Sequence, residues 1–307
     1  MQQNSKKIFP SLALILLVLI AFAAFAVSPS KPQTSTQSVA QEQAQEETTN
    51  PPAEPQEPTR VFAADDFSNL APDAPDIPVY DRHTLAERRA QGLTMALPDI
   101  APYCAGKTVY LTFDDGPDGK NTPAVLDILR EAGVHATFYV TGKQAEAHPD
   151  VLHRIYDEGH AIGNHSYDHR YEKLYPDVQG FLAEMARTEE VIYGILGVRP
   201  LILRAPGGTI GHFTSAYAPA LRESGYVEHD WNVSSADAAP GHPVAQDFID
   251  NISFETDQQA AARTAIILMH SSEGHEETVK ALPTIIQILK SKGYAFGVVT
   301  PMTPQPW

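Results

Sequence analysis

Apolar positions along this chain fall into three regimes. Leu12 to Val27 is an unbroken apolar run that Ile8 and Phe9 extend, preceded by Lys6 and Lys7. From Ser28 to Arg60 large apolar residues almost vanish and Gln, Glu, Pro, Ser and Thr dominate. From Lys107 onward, short runs rich in β-branched residues alternate with longer stretches of helical period. The runs predict strands at Thr108–Phe113, Ala136–Val140, Ala161–Asn164, Leu201–Arg204, Val227–Trp231, Ala265–Met269 and Ala295–Val299. Helices are predicted between most of them. Thr122 is read as an N-cap with Pro123 at the first helical position and Gly133 as the stop. Further helices are Val151–Glu158 before Gly159, Asp177–Leu196 before Gly197, Ser215–Ser224, a stretch near Val244–Ser253, and Thr278–Lys292 before Gly293. Strand alternating with helix predicts an α/β fold with a parallel sheet under covering helices. Seven strands exceed a small open sheet and fit an incomplete barrel.

The first two regimes are an address and a spacer. The apolar run is longer than a signal-peptide core and slightly shorter than the roughly 20 residues of a spanning helix. The expectation for residues 1–28 is an uncleaved signal anchor, with a cleaved signal peptide ending near Ala24-Phe25-Ala26 as the alternative. The lysines stay in the cytoplasm in either case, so the rest of the chain is expected outside it, anchored or secreted. Residues 29–60 bury too little surface to offset ordering entropy and are predicted to be a disordered linker, reaching a coil distance of roughly 30 Å. Residues 61–105 are a Pro-rich transition with one helical candidate, Thr84–Gly92, and residues 106–302 form the main domain.

Composition removes some function classes. Lys+Arg 22 against Asp+Glu 38 gives a net charge of −16, which repels nucleic acid. With one cysteine, Cys104, neither an internal disulfide nor a cysteine-based zinc site can form. No protein partner is predicted.

The chemistry gathers at strand ends. Asp114 and Asp115 follow the first strand of the domain, with Gly116-Pro117 turning the chain away. Adjacent carboxylates repel unless a positive group neutralises them, and a metal ion is the usual remedy. His165 and His169 follow the third strand, and the i, i+4 spacing is read as two imidazoles on one face of a helical turn. Arg204 closes the fourth strand, Trp231 the fifth with Asp237 shortly after, and His270 follows the sixth. Five of seven strands thus send polar groups to the rim where a β/α barrel keeps its chemistry. A His-His-Asp site leaves positions open for water, as a hydrolytic metal requires. One aspartate can ligate and the other can take a proton; the residues alone do not say which. The other nine histidines, among them His160, His212, His229, His242 and His275, are read as structural.

From Lys107 to the C-terminus the sequence resembles the polysaccharide deacetylases, the NodB-homology domains of carbohydrate esterase family 4. Five motifs carry the resemblance in order: Thr112-Phe113-Asp114-Asp115-Gly116, His165-Ser166-Tyr167-Asp168-His169, Arg204-Ala205-Pro206-Gly207-Gly208, more loosely Trp231 to Asp237, and Leu268-Met269-His270. The resemblance implies a distorted (β/α)₇ barrel and metal-dependent removal of N-acetyl groups from sugars. It implies Asp114 as general base, with Asp115, His165 and His169 as ligands of a divalent metal. Zn²⁺ is the expected ion, with Co²⁺, Ni²⁺ or Mn²⁺ as alternatives. It further implies Gly207 N–H as an oxyanion donor, His270 as general acid, Arg204 supporting Asp114, Asp237 supporting His270, Leu268 lining the acetyl slot, and Trp231 in the substrate groove.

The chain departs from the family pattern at the groove. Many relatives carry an aromatic residue at the position of Gly207 and a tryptophan at that of Ala238; Asn232 and Ser234 replace frequent acids, and Ser271 a frequent aspartate. The expected substrate is an N-acetylated glycan, peptidoglycan first because of the predicted location. Chitooligosaccharide, xylan or an exported polysaccharide are alternatives, and a catalytically silent glycan-binding module is a distant one.

Overall fold

The computed structural model describes residues 59–70, 77–103, 106–259 and 263–306. The apolar run, nearly all of the predicted linker and Cys104 lie outside them. Among the described residues no helix is long and apolar enough to cross a membrane.

A small layer comes first: β1 (Val61–Phe62), β2 (Val79–Asp81) and α1 (Leu85–Gln91). α1 starts on a capping box in which Thr84 Oγ1 accepts from Glu87 N–H (3.0 Å) and the Glu87 carboxylate accepts from Thr84 N–H (2.9 Å). It ends at Gly92, φ 68°. The main unit follows as β3 (Thr108–Asp114), α2 (Asn121–Ala132), β4 (Thr137–Val140), α3 (Gly142–Ala147), α4 (Pro149–Asp157), β5 (Ala161–Asn164), α5 (Tyr171–Leu174) and α6 (Val178–Leu196). Then come β6 (Arg199–Pro200), β7 (Ile202–Leu203), α7 (Tyr217–Glu223), β8 (Val227–Glu228), β9 (Val233–Ser234), α8 (Ala245–Gln258), β10 (Thr264–His270), α9 (Glu276–Ser291) and β11 (Ala295–Gly297).

Seven parallel strands pair in the order β8-β7-β5-β4-β3-β10-β9, and β11 pairs with the first half of β3. The two edge strands, β8 and β9, are consecutive in the chain and joined by only residues 229–232. Five Cα steps reach at most roughly 18 Å. The edges of a flat seven-stranded sheet stand roughly 29 Å apart. The sheet therefore curls, and the result is an α/β fold with a curled parallel half-barrel of seven strands. This connection also corrects the predicted strand Val227–Trp231: pairing stops at Glu228, because the chain must cross between the two edges before β9 begins.

Side-chain alternation along β3 sets inside and outside. Val109, Leu111 and Phe113 join the main hydrophobic cluster, with Leu126 and Leu129 of α2, Ile155 of α4, Phe248 of α8 and Ile285 of α9. Tyr110 faces the other way, in a small cluster with Tyr139, Ile202, Ile266, Val299 and Trp231. That cluster floors the barrel, and Thr112 and Asp114 rise above it on the same face. One predicted cap is corrected. Thr122 lies inside α2, since Asp118 ahead of it accepts from the N–H groups of Lys120 (3.1 Å) and Thr122 (2.7 Å).

The transition segment is bound into this unit. β2 pairs antiparallel with β6. Tyr80 donates to His160 O (3.2 Å) and accepts from Ile162 N–H (3.1 Å). Fully buried Arg199 binds Asp81 (3.0 Å) and Glu189 (2.8 Å), and Asp81 also binds buried Arg88. Arg60, at the end of the predicted linker, already lies over the Tyr156 ring at 3.9 Å. Arg199→Ala would leave buried Glu189 without its cation and Asp81 with Arg88 alone, and is expected to lower stability by about 3–5 kcal/mol. A thermal melt of the purified variant checks this; an unchanged midpoint would show that the network is dispensable.

Candidate active site

Asp114 ends β3 with its side chain buried, and Arg204 Nη1 donates to its Oδ1 at 2.9 Å. Arg204 has no freedom to leave. It also donates to Thr112 Oγ1 (2.7 Å), His229 O (2.9 Å) and Asp230 O (3.1 Å), and packs over the Tyr139 ring at 4.2 Å. Burial pushes the Asp114 carboxyl above the usual carboxylate range, and Arg204 is the leading opposing influence. A carboxylate raised in this way is a stronger base than a solvated one, and the Arg204 hydrogen bond keeps it oriented.

Asp115 takes a left-handed turn at φ 70°, which swings it away from Asp114. Its Oδ1 is buried and has no hydrogen-bond partner. It lies 3.6 Å from His165 Nε2 and 3.7 Å from His169 Nε2. His165 is buried, and its Nδ1–H donates to Arg204 O at 2.8 Å, which leaves Nε2 as a bare lone pair facing the aspartates. Burial, opposed by the Asp115 charge, lowers His165 to about 3, so the ring is neutral. An orphaned buried carboxylate oxygen is costly by itself. Set beside two imidazole nitrogens, with the ligand atoms of Asp115, His165 and His169 all within 4.8 Å of one another, it fits a divalent cation with N and O preference.

The two histidines do not share a helical turn, contrary to the sequence reading. Ser166 (φ 68°) and His169 (φ 57°) are both left-handed, which a helix excludes. The loop is pinned instead: Ser166 N–H donates to Asn164 Oδ1 (3.1 Å) and His169 N–H to Ser166 Oγ (3.1 Å). The imidazoles converge because this loop folds back, not because of 3.6-residue periodicity.

On the other side stands His270. Asp237 holds it twice, accepting from its Nδ1–H (2.8 Å) and its backbone N–H (2.8 Å), and Thr278 donates to the same carboxylate (2.8 Å). Burial works against the imidazolium, but the Asp237 hydrogen bond and charge, then Asp114 and Asp115, outweigh it and raise His270 to about 9. Nε2 points back to Asp115 Oδ2 at 4.0 Å. A base-side carboxylate and an acid-side imidazolium thus face each other across the triad. Activity that requires protonated His270 falls as pH rises through its pKa. Asp237→Asn removes the charge that raises it, so the basic limb of kcat/KM should move down by about one pH unit or more. Rate against pH with metal content matched checks this, and an unmoved limb would take Asp237 out of the mechanism.

The family model described as polysaccharide deacetylase matches residues 104–228. A peptidoglycan-N-acetylglucosamine deacetylase of Bacillus cereus is 33% identical over 198 residues, covering 62% of this chain and 68% of that protein. The chain belongs to the polysaccharide deacetylase family. A peptidoglycan-N-acetylmuramic acid deacetylase of Bacillus subtilis, PdaA, is likewise 33% identical, covering 62% of this chain and 69% of its own. Among solved structures, a carbohydrate esterase family 4 enzyme of Streptococcus mutans superimposes with a TM-score of 0.60 at 31% identity, over 69% of this chain and 94% of that one.

The remaining groove residues show how this polysaccharide deacetylase varies. Leu268 is half-buried, two residues before His270 on the same face of β10. Trp231 is half-buried and packs on the barrel floor, with Gly208 close beneath: a Cβ there would meet the indole at 3.1 Å. Among the described residues the Gly207 N–H has no hydrogen-bond acceptor, while Gly208 N–H closes a turn on Ala205 O (2.8 Å). His229 is a buried brace: Nε2–H donates to Thr303 O (3.0 Å), and burial lowers it to about 4. Sequence reasoning missed Thr112 and Thr278, which position Arg204 and Asp237. His275, read from the sequence as structural, stacks its ring on His270 at 4.9 Å and 19°. Thr112 sits inside the first motif and could have been singled out there; Thr278 and His275 carry no comparable signal.

Proposed function

We propose that this chain is a metal-dependent hydrolase that removes N-acetyl groups from an N-acetylated glycan outside the cytoplasmic membrane, with peptidoglycan as the substrate. One observation carries the reading. The unpartnered Asp115 oxygen and two imidazole nitrogens lie between an arginine-held aspartate and an aspartate-held histidine. The named activities of the Bacillus relatives support the glycan. Lys6 and Lys7 ahead of the apolar run support a site outside the membrane, with residues 1–28 as anchor and 29–60 as spacer.

A divalent cation, Zn²⁺ first, held by Asp115, His165 and His169 would supply Lewis acidity and lower the pKa of water. The chain's own groups perform the proton transfers. Asp114 Oδ2 takes the proton of the attacking water, while Arg204 fixes Oδ1. Gly207 N–H donates to the oxyanion as the carbonyl carbon becomes tetrahedral. The C–N bond then breaks, and His270 gives its proton to the departing amine, which leaves poorly as an anion. Asp237 holds the imidazolium in position. Leu268 borders the acetyl methyl group. The products are acetate and a free amino sugar.

The test is product analysis with purified peptidoglycan, N-acetylglucosamine oligomers and acetylated xylan. The expected result is acetate release with free amino sugars in peptidoglycan. Acetate from xylan alone would transfer the reading to that polymer, and none from any glycan would remove it.

A further inference from the structure

Tyr171, the first residue of α5, follows His169 by two positions, and its side chain is one of the few large apolar groups left open, at 46% exposure. Its ring centre lies 5.6 Å from that of His169 and 5.4 Å from that of His212. His212 in turn stacks on Tyr175 at 4.2 Å and 12°, and the Tyr175 hydroxyl donates to Pro206 O at 2.6 Å. Tyr171 thus leans on a stacked, hydrogen-bonded ring pair and stays half open to solvent. It also explains the glycine of the third motif. A Cβ on Gly207 would collide with the Tyr171 hydroxyl and sit 3.2 Å from its Cζ, and Gly207 has φ 75°. With its left-handed backbone and the Tyr171 ring standing where a Cβ would go, position 207 favours glycine.

We infer that Tyr171 is a substrate-specificity residue. It forms the groove wall on which a pyranose of the glycan packs, next to the sugar whose acetamide reaches the triad. A pyranose carries C–H groups on its faces and hydroxyls around its edge, so it covers an aromatic face while its hydroxyls stay wet. Tyr171 is set beside the proposed ligand His169, with ring centres 5.6 Å apart, so the sugar it meets is the neighbour of the reacting one. This inference rests on the deacetylase reading above.

The test compares Tyr171→Ala and Tyr171→Phe with wild type on three probes: the β-1,4-linked tetramer of N-acetylglucosamine, solubilised peptidoglycan strands, and 4-nitrophenyl acetate, which has no second sugar. Losing the covered face should raise KM for the glycans about fivefold to tenfold in the alanine variant. Turnover number should stay within about twofold and ester hydrolysis should not change, while the phenylalanine variant should match wild type. An unchanged glycan KM in Tyr171→Ala would overturn the wall. So would an equal loss on the ester, which would mark a structural role, or an equal loss in Tyr171→Phe, which would assign the effect to the hydroxyl. No acetate release by wild type from either glycan would instead overturn the deacetylase reading, and the wall with it.

Discussion

Replacing Asp114 by asparagine is expected to lower kcat about a thousandfold while the chain still binds its metal ion. The substitution keeps shape and keeps an acceptor oxygen for Arg204 Nη1, which lies 2.9 Å from Oδ1. What it removes is the ability to take a proton. The surroundings suit that loss of function to a single cause. Arg204 stays tethered to Thr112 Oγ1, His229 O and Asp230 O, so its guanidinium does not swing out when the aspartate charge is gone. His165 keeps its bond to Arg204 O (2.8 Å), so the triad keeps its shape. Arg204 becomes an unbalanced buried charge, and stability falls as well. The rate must therefore be normalised to folded, metal-loaded protein. Turnover within tenfold of wild type would mean that another group takes the proton.

His165→Ala is expected to act one step earlier, on the ion itself. Of the three proposed ligands His165 is the most buried, and its tautomer is set by Arg204 O. Removing it should weaken metal binding by at least about a hundredfold, beyond the usual effect of disturbing a supporting hydrogen bond. Activity should fall in parallel and return in part at high zinc concentration. His169→Ala should behave alike but more mildly, because His169 is partly open to solvent and water can take its place. Titration against a coloured chelator separates the two effects. A His165→Ala protein that holds one zinc ion at wild-type affinity would mean the triad is not the metal site.

The parts of this molecule that were legible in the sequence are those written in contiguous residues. The run Val109 to Phe113 is buried at every position and apolar at all but Thr112, because both faces of β3 are covered. The short helix ending at Gly92 and the glycine stops of α2 and α6 depend on neighbours in the chain, and they fall where the residues put them. The site residues were legible as residues but not as geometry. His165 and His169 do meet near Asp115, yet through two left-handed turns that a spacing rule for helices does not describe. Relations between distant segments left no trace. Asp81 and Arg199 are 118 positions apart, and their burial became visible only once β2 was seen beside β6. The Tyr171 and Gly207 pair is of the same kind: Gly207 stood out in the sequence and Tyr171 did not, and only the fold shows that one occupies the room the other leaves.

Metal-dependent acetate release is the property that the proposed site most directly requires. The full chain, stripped with a strong chelator and dialysed, would be assayed on purified peptidoglycan before and after stepwise addition of Zn²⁺, with acetate and bound zinc measured in the same samples. The expected result is negligible acetate from the stripped protein, recovery that rises linearly and saturates at about one ion per chain, and no recovery in His165→Ala at the same zinc level. Undiminished acetate release from fully stripped protein, or recovery in that variant equal to wild type, would contradict it.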